Sequence, residues 1–265
     1  MRIATWNINS VTARLDRLLA WLESAAPDVV ALQELKCTSD AFPHLPIQAL
    51  GYEAVAHGNG RWNGVAILSR VGLADVTVDL DGQPEFDGVV ETRAVGATCG
   101  GVRIWSVYVP NGREPDHEHY AYKLRWFDAL RRTVTRELEA DPDLPYAVIG
   151  DFNVAPTDQD VWDIAQFADS THVTEAERAA LADLRSTGLV DLPPRSLKGE
   201  PYTFWDYRNG AFHRGWGMRI DLVYANAPFA ERVTDTWIDR NERKGKGASD
   251  HAPVVVDLTG DEAGP

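Results

Sequence analysis

The chain has 265 residues, of which 44 % are hydrophobic and 25 % charged, the proportions of an ordinary globular protein. No uninterrupted apolar run approaches the roughly 20 residues that a membrane-spanning helix needs, so we expect no such helix. The formal net charge of −14 argues by itself against a nucleic-acid enzyme, because Lys and Arg drive phosphate binding. Net charge does not describe local patches, however, and carboxylates clustered at a metal site carry charge that the cations offset.

Two cysteines and the N-terminal segment bear on the cellular compartment. Cys37 and Cys99 lack partners at metal-ligand spacing, and two thiols make a poor disulfide framework, so a reducing interior is expected. The first ten residues, MRIATWNINS, lack the charged stretch and apolar core of a signal peptide. The sequence therefore predicts a cytoplasmic protein.

The first half of the chain alternates short apolar segments with one amphipathic segment. Residues 2–8 predict a strand, and apolar residues from Val11 to Leu22 then fall on one helical face, with Ser10 as N-cap. Short apolar segments with glycine-containing turns follow. They predict strands, the later ones paired antiparallel, at residues 29–32, 65–68, 76–80, 92–98 and 102–109.

The second half begins with a long amphipathic helix over residues 120–138 and a strand at 147–149. Thr174 and Glu177 form a capping-box pattern that begins another helix, which Gly188 would end. Strands are predicted at 220–224, 233–238 and 253–258. The pattern predicts an α/β or α+β fold in which helices cover two packed sheets. We expect one domain over residues 1–259 and a flexible tail at 260–265.

Polar residues lie beside the ends of the predicted strands. If these strands share one core, their ends can bring the side chains to a common rim, where α/β proteins tend to bind ligands. Each residue alone is also compatible with a turn, a helix cap or core packing, and only the whole set favours a site. The set comprises Asn7, Glu34, Tyr108, Asn111, Asp151, Asn153, Asp221, Asp250 and His251.

These residue types suit phosphoryl chemistry. The carboxylates of Glu34, Asp151 and Asp250 are hard oxygen ligands for magnesium or manganese, as are the amide oxygens of Asn7 and Asn153. His251 could donate a hydrogen bond to a phosphate oxygen, with Asp221 fixing its tautomer. The phenol of Tyr108 could contact phosphate or, once ionised, support a leaving group, and the residues alone do not choose between these roles.

Eight motifs in order resemble the exonuclease III family of the endonuclease/exonuclease/phosphatase superfamily. GDFN and SDHAP mark only the superfamily, whereas TFWDYR followed by MRID is specific to the abasic-endonuclease branch. The resemblance covers nearly the whole chain. The motifs are WNINS (6–10), LQELK (32–36), NGVAILSR (63–70), YVPNG (108–112), GDFN (150–153), TFWDYR (203–208), MRIDLV (218–223) and SDHAP (249–253).

The resemblance implies a four-layer sandwich of two mixed β-sheets packed face to face, with helices on both outer faces. It implies a DNA-repair phosphodiesterase that cleaves 5′ to abasic sites and removes 3′ nucleotides or 3′-blocking groups. The cofactor would be one or two Mg²⁺ ions, or Mn²⁺. The partner would be double-stranded DNA with abasic sites or 3′ ends, bound by a monomer that is nucleoid-associated in a bacterium and attached to no membrane.

The resemblance also assigns roles to individual residues. Glu34 becomes the principal metal ligand, supported by Asn7 and Asp250, and Asp151 activates the attacking water beside Asn153. Asp221 and His251 form the pair at the phosphate, with the phenol of Tyr108. Asp151, Asn153 and His251 are counted among the metal ligands as well. Asn111 and Lys123 are expected to contact the DNA. Phe204, Met218 and Ile220 are expected to form the walls of a pocket too small for any base, with Trp216 at its edge.

The sequence is also compatible with two rival functions. A phosphatase or phosphodiesterase for inositol lipids, sphingomyelin or a small nucleotide would suit the net acidity, but the chain lacks a basic amphipathic helix and a PAWCDR-like segment. A catalytically inactive binding module would require missing ligands, yet every acidic and amide position is filled.

The basic residues before Asp250 are candidate phosphate contacts: Arg240, Arg243, Lys244 and Lys246.

Overall fold

The computed structural model describes residues 1–259, and the predicted tail at 260–265 lies outside the described residues. Two β-sheets pack face to face, and helices cover both outer faces. The strands are β1 (Arg2–Asn7), β2 (Val29–Gln33), β3 (Glu53–His57), β4 (Val65–Ser69), β5 (Ala74–Val78), β6 (Ala94–Cys99), β7 (Val102–Tyr108), β8 (Tyr146–Asp151), β9 (Val190–Asp191), β10 (Arg195–Ser196), β11 (Asp221–Ala225), β12 (Val233–Ile238) and β13 (Val254–Leu258).

Both sheets are mixed, because each contains parallel and antiparallel pairs. The seven-stranded sheet has the order β10-β12-β13-β1-β2-β4-β3, and the six-stranded sheet has the order β5-β6-β7-β8-β11-β9. Strands β1 and β2 are parallel, as are β7 and β8, whereas β13 and β11 run antiparallel to β1 and β8. The carboxyl ends of four strands therefore lie at the same edge as the amino ends of β11 and β13.

Six α-helices complete the fold of residues 1–259. The longest, α3, crosses the outer face of the six-stranded sheet, and a side chain of its N-cap residue, His117, accepts a hydrogen bond from the backbone N–H of His119. The helices are α1 (Leu15–Ala25), α2 (His44–Gln48), α3 (Glu118–Ala140), α4 (Glu175–Arg185), α5 (Ala211–Arg214) and α6 (Ala227–Ala230).

Side chains alternate along each strand between two cores, since successive residues of a strand point to opposite faces. In β1, Ile3 lies in the core between the sheets, whereas Ala4 packs in a second core with Leu18 and Trp21 of α1. In β7, Ile104 faces the other sheet and Trp105 packs against α3. This alternation produces the four layers, so the predicted sandwich is confirmed.

The predicted elements agree with the structure except near some ends. Residues 233–238 match β12, and the capping box of Thr174 and Glu177 begins α4 as expected. Helix α1 starts at Leu15 rather than near Val11, because residues 11–14 form turns. The strands β3, β9 and β10 and the short helices α2, α5 and α6 were not predicted. No helix among residues 1–259 combines the length and apolar character needed to cross a membrane, and Cys37 and Cys99 are both buried and unpaired.

Candidate active site

The strand ends bring the predicted polar side chains together at one rim. Asn7 is the last residue of β1, and Glu34 directly follows the neighbouring parallel strand β2. In the other sheet, Asp151 at the end of β8 stands in register with Tyr108 of β7 on one side and Asp221 of β11 on the other. Two rows of functional groups, one from each sheet, thus face each other across the same edge.

The backbone at this rim adopts conformations that most residues avoid. Asn9, Glu34 and Asn153 have φ values of +46°, +52° and +50°, and such left-handed residues cluster at functional sites where the surrounding structure holds them. Gly150 permits a close backbone approach, since a Cβ there would lie 2.0 Å from the carbonyl oxygen of Val107. The glycine of the GDFN motif is therefore needed to seat Asp151 beside β7.

One buried amide joins the two central carboxylates. The Nδ2 of Asn7 donates to Oε1 of Glu34 at 2.8 Å and to Oδ2 of Asp151 at 2.9 Å. Its Oδ1 accepts a hydrogen bond from the backbone N–H of Asn9 at 3.0 Å. This hydrogen bond uses one of the two lone pairs of the amide oxygen, and metal ligation by Asn7 stays a prediction. The amide nitrogen spaces and orients Glu34 and Asp151.

The donor atoms at this rim fit a divalent cation. One ligand atom from each of Glu34, Asp151 and His251 lies within 4.8 Å of the others, and carboxylate oxygens are the ligands that magnesium prefers. Burial opposes the charge on Glu34, but the ammonium of Lys36, 2.8 Å from its Oε2, and the amide of Asn7 lower its pKa. Glu34 is therefore ready to bind a cation as the carboxylate.

Asp250 lies outside this close group of three. Its side chain is half-buried, and its Oδ1 accepts a hydrogen bond from Nδ2 of Asn9 at 2.9 Å. Asn9 in turn accepts from Lys36, which also pairs with Glu34. Asn9 thus links Asp250 to the Glu34 side of the rim. There the carboxylate of Asp250 can support Glu34, the predicted principal metal ligand.

A buried histidine–aspartate pair completes the catalytic rim. The Nδ1 of His251 lies 2.8 Å from Oδ2 of Asp221, and its Nε2 lies 3.8 Å from Oδ2 of Asp151. Burial disfavours a charged imidazole, but Asp221, Asp151 and Asp250 outweigh it and raise the pKa of His251 to about 10. A protonated ring donates hydrogen bonds through both nitrogens, and the predicted metal ligation by His251 stays a prediction.

The environment of Asp151 brings the pKa of its carboxyl group close to neutral pH. Burial raises the pKa of Asp151 to about 7, with Asp221 and Glu34 acting in the same direction and His251 against them. Its Oδ1 accepts from the backbone N–H of Asn153 at 2.9 Å, which holds the carboxylate in one orientation. A fixed carboxylate with a near-neutral pKa can exchange protons at physiological pH.

Tyr108 is held as a neutral phenol. Burial and the nearby carboxylate of Glu34 raise the pKa of Tyr108 well above its ordinary value, although Arg93 opposes them. The guanidinium of Arg93 lies 4.8 Å from the ring centroid, and its Nη1 donates to the Tyr108 carbonyl at 3.1 Å. Of the two roles considered for this side chain, the geometry favours hydrogen-bond donation by the phenol.

Asn153 and Lys123 act through other groups in this structure. Asn153 Oδ1 accepts from Nδ2 of Asn111 at 3.1 Å, and its Nδ2 donates to the Val109 carbonyl. The predicted metal contact of Asn153 stays a prediction. Lys123 is fully buried, and its Nζ lies 2.5 Å from Oε1 of Glu177. The predicted DNA contact by Lys123 is therefore wrong. Its ammonium donates instead to the carbonyl oxygens of Asn153 at 2.7 Å and Asn111 at 3.1 Å.

Comparison with known proteins gives this geometry a family. The model of the Endonuclease/Exonuclease/phosphatase family matches residues 4–251. The chain belongs to this family. Exodeoxyribonuclease III of Haemophilus influenzae is 30 % identical over 276 residues. The alignment covers 97 % of this chain and 100 % of that protein.

Two solved structures agree in fold as well as sequence. A 3′-phosphatase from Neisseria, bound to a product DNA hairpin, matches with a TM-score of 0.92 and 35 % identity over 98 % of this chain and 99 % of that one. An AP endonuclease from Archaeoglobus fulgidus matches with a TM-score of 0.90 and 34 % identity over 97 % and 99 %. The predicted family, fold and enzyme class are thereby confirmed: the chain is a phosphodiester hydrolase of the exonuclease III type, in a metal-dependent family.

An open groove runs beside the catalytic rim of this nuclease. Its volume is about 930 Å³, and Asn111, exposed as expected of a DNA contact, lines it together with Phe204 and Met218. Ile220 does not line it, because its side chain packs in a small core with Ala155. The predicted role of Ile220 as a pocket wall is not supported by this placement.

Phe204 and Met218 also line a second cavity, of about 230 Å³, together with Trp216. The pocket that excludes any base, with Phe204 and Met218 as walls and Trp216 at its edge, stays a prediction.

The basic residues before Asp250 are divided between core and surface. Arg243 is buried, donates to the Trp205 carbonyl at 2.9 Å and lies over the rings of Tyr207 and Phe212. Its predicted availability for phosphate is therefore wrong. Lys244 and Lys246 are exposed and remain candidates.

Several residues at the site were not predicted as functional. Asn9 and Lys36 connect the carboxylates, and Arg93 supports Tyr108. No separate signal in the sequence marks these three residues as functional. Thr203 accepts from the backbone N–H of Asp221 at 3.1 Å. His172, whose Nε2 lies 3.5 Å from Nδ2 of Asn111 and whose Nδ1 is buried without a partner, lies in a segment that carried no motif.

Proposed function

We propose that this nuclease uses Mg²⁺ to hydrolyse phosphodiester bonds of double-stranded DNA at 3′ ends and at abasic sites. The observation that carries the proposal is the row of Asp151, His251 and Asp221 beside the carboxylate of Glu34, with an open groove alongside. A base, a cationic hydrogen-bond donor and a cation site within one rim are what attack on a phosphodiester requires.

In this mechanism each side chain has one task. Asp151 accepts a proton from the attacking water, since its pKa of about 7 suits a general base at neutral pH. His251, protonated and held by Asp221, donates a hydrogen bond to a non-bridging oxygen and stabilises the charge that develops there. The phenol of Tyr108 donates a second hydrogen bond. Glu34, with support from Asp250, would hold the magnesium ion, which would supply Lewis-acid stabilisation of the phosphate.

The rival substrate is a small phosphorylated molecule or a lipid headgroup. The groove of about 930 Å³ is open along the rim, which suits a polymer better than an enclosed small molecule. A matching structure with DNA bound, at 35 % identity over nearly the whole chain, supports the same choice.

A direct comparison of substrates tests the proposal. The purified protein with Mg²⁺ would be incubated with four duplexes or ligands at equal concentration: DNA with one abasic analogue, DNA with a recessed 3′ end, DNA with a 3′-phosphate, and an inositol phosphate. We expect hydrolysis of DNA substrates and none of the inositol phosphate. Hydrolysis of the inositol phosphate with intact DNA would replace the proposal by its rival.

Glu34→Ala should abolish the response of the protein to Mg²⁺. A ligand at about 100 times its Kd stabilises a protein by roughly 2.7 kcal/mol, which at this size raises Tm by about 5–10 °C. Thermal unfolding with and without Mg²⁺ measures this shift independently of activity. Glu139→Ala, at an exposed carboxylate of α3, serves as the control and should keep the full shift. An unchanged shift in Glu34→Ala would remove this residue from the metal site.

Replacing Lys244 and Lys246 with alanine should weaken binding to all DNA sequences alike. Both side chains are exposed in the segment that precedes Asp250, and each lost phosphate contact reduces the slope of log K against log salt by about 0.9. Arg243 is left in place because its loss would disturb the core. Binding would be titrated at several salt concentrations, with exposed Lys198→Ala as control. An unaltered slope would show that the two lysines are only solvated surface.

A further inference from the structure

The two members of the histidine–aspartate pair belong to different sheets. Asp221 is the first residue of β11 in the six-stranded sheet, where it stands in register with Asp151. His251 lies three residues before β13 of the seven-stranded sheet, and Nε1 of Trp6 in β1 donates to its carbonyl at 3.2 Å. The 2.8 Å contact between Asp221 and His251 therefore depends on how the two sheets are spaced at the rim.

Residues 203–205 are tied to the segment that leads into β11. The backbone N–H of Thr203 donates to the Met218 carbonyl at 2.9 Å. The hydroxyl of Thr203 accepts from the backbone N–H of Ile220 at 3.2 Å and from that of Asp221 at 3.1 Å. One side chain thus fixes the backbone from which the Asp221 carboxylate projects.

The same segment is tied to the backbone around His251. The N–H of Ala252 donates to the Thr203 carbonyl at 2.8 Å, and the N–H of Trp205 donates to the Asp250 carbonyl at 2.9 Å. Thr203 therefore accepts hydrogen bonds from both sides, through its hydroxyl from the start of β11 and through its carbonyl from the residue after His251.

The Asp221 carboxylate relies on this backbone for its orientation. Its Oδ2 contacts Nδ1 of His251, whereas Oδ1 is buried without a hydrogen-bond partner among residues 1–259. A carboxylate with a single side-chain contact can turn, so its alignment depends on where the main chain places it. Thr203 is fully buried, and its β-branched side chain has few rotamers, so the hydroxyl that receives this main chain is itself held in place.

We propose that Thr203 is a positioning residue for catalysis, whose hydroxyl and carbonyl set the alignment of Asp221 with His251. The inference rests on the proposed roles of Asp221 and His251 in hydrolysis. Displacing a group in an active site by about 1 Å can cost about 10²-fold in rate, even when the change lies away from the chemistry. The loss of one buried hydroxyl that holds two backbone N–H groups is a change of that kind.

Thr203→Val should lower kcat by about 10²-fold. Valine keeps the shape of the side chain but leaves the N–H groups of Ile220 and Asp221 without their acceptor. The measured reaction is release of the terminal nucleotide from a recessed 3′ end with Mg²⁺. KM should change little, because Thr203 does not line the groove. Thr203→Ser retains the hydroxyl and should recover most of the loss.

The matched control is Thr133→Val in α3. Thr133 is also buried, and its hydroxyl also accepts a backbone N–H, that of Asp81 at 3.2 Å, but it lies outside the groove. This variant should lower Tm without changing kcat. An equal loss of kcat in both variants would mean that Thr203 acts only through stability, and the proposal would be overturned.

A double-mutant cycle with His251→Ala separates positioning from every other role. Once the imidazole is gone, Asp221 has nothing to align, so adding Thr203→Val to His251→Ala should hardly change the residual kcat. Losses that multiply would overturn the proposal. Normal turnover by the single variant His251→Ala would instead refute the proposed function, so the two failures can be told apart.

A second variant serves if Thr203→Val does not fold. Thr203→Ala leaves room for a water molecule, which would find two N–H donors and the Met218 carbonyl, a suitable set for a buried water. Such a water is not attached to the main chain at residue 203, so kcat should again fall. The loss should disappear when His251→Ala is added. Unchanged kcat in a folded Thr203→Ala variant would show that the hydroxyl does not position Asp221.

Discussion

Asp151→Asn is expected to lower kcat by about 10²–10⁴-fold, the usual contribution of a general base. The substitution is nearly isosteric, and the remaining carbonyl oxygen can still accept one of the two hydrogen bonds, that from Asn7 to Oδ2 or that from the backbone N–H of Asn153 to Oδ1. What is lost is the carboxylate, the group whose pKa of about 7 allows it to take a proton from water. The chemical step should fail in a site that is otherwise intact.

DNA affinity should stay the same or increase in this variant. Asp151, Glu34 and Asp221 crowd negative charge near the position of the phosphate, and burial leaves this charge poorly screened. Removing one of these charges therefore reduces the repulsion between the site and the DNA phosphate. Single-turnover rates and fluorescence anisotropy separate the two effects, with exposed Asp128→Asn as control. Near-normal turnover by Asp151→Asn would assign the base to another residue.

The catalytic rim was predictable because strand ends are visible in a sequence. Glu34 and Asp151 each follow a buried apolar segment, and His251 precedes one, so the alternation of apolar and polar residues locates them without coordinates. The four layers follow from the same alternation. Roles that depend on which atom faces which neighbour were not predictable. The amide nitrogen of Asn7 is an example, because it donates to both Glu34 and Asp151.

The errors in the prediction share a physical cause, the burial of polar side chains. Lys123 and Arg243 are cations in an acidic chain, and exposure is the ordinary state of such residues. Lys123 is buried because Glu177, from a helix 54 positions further on, compensates its charge. Arg243 is buried because aromatic rings from a separate segment receive it.

The strongest coupling in the site is expected between His251 and Asp221. Asp221 is fully buried, contacts Nδ1 of His251 at 2.8 Å, and raises the pKa of that ring against the effect of burial. Without Asp221, burial should prevail and the imidazole should lose its proton near neutral pH. The remaining ring could then no longer act as a cationic donor, so either single substitution to alanine should cost about 10²–10⁴-fold in kcat.

The double variant His251→Ala/Asp221→Ala should therefore be hardly slower than either single variant, because residues that act as a unit are strongly non-additive. The control is a second histidine–aspartate pair, His57 and Asp79, whose Nε2 and Oδ1 are also 2.8 Å apart but which does not line the groove. Replacing those two residues should leave turnover unchanged. Losses at His251 and Asp221 that multiply would mean that Asp221 acts on the reaction by a route other than the imidazole, since a positioning residue has nothing left to position once the ring is gone.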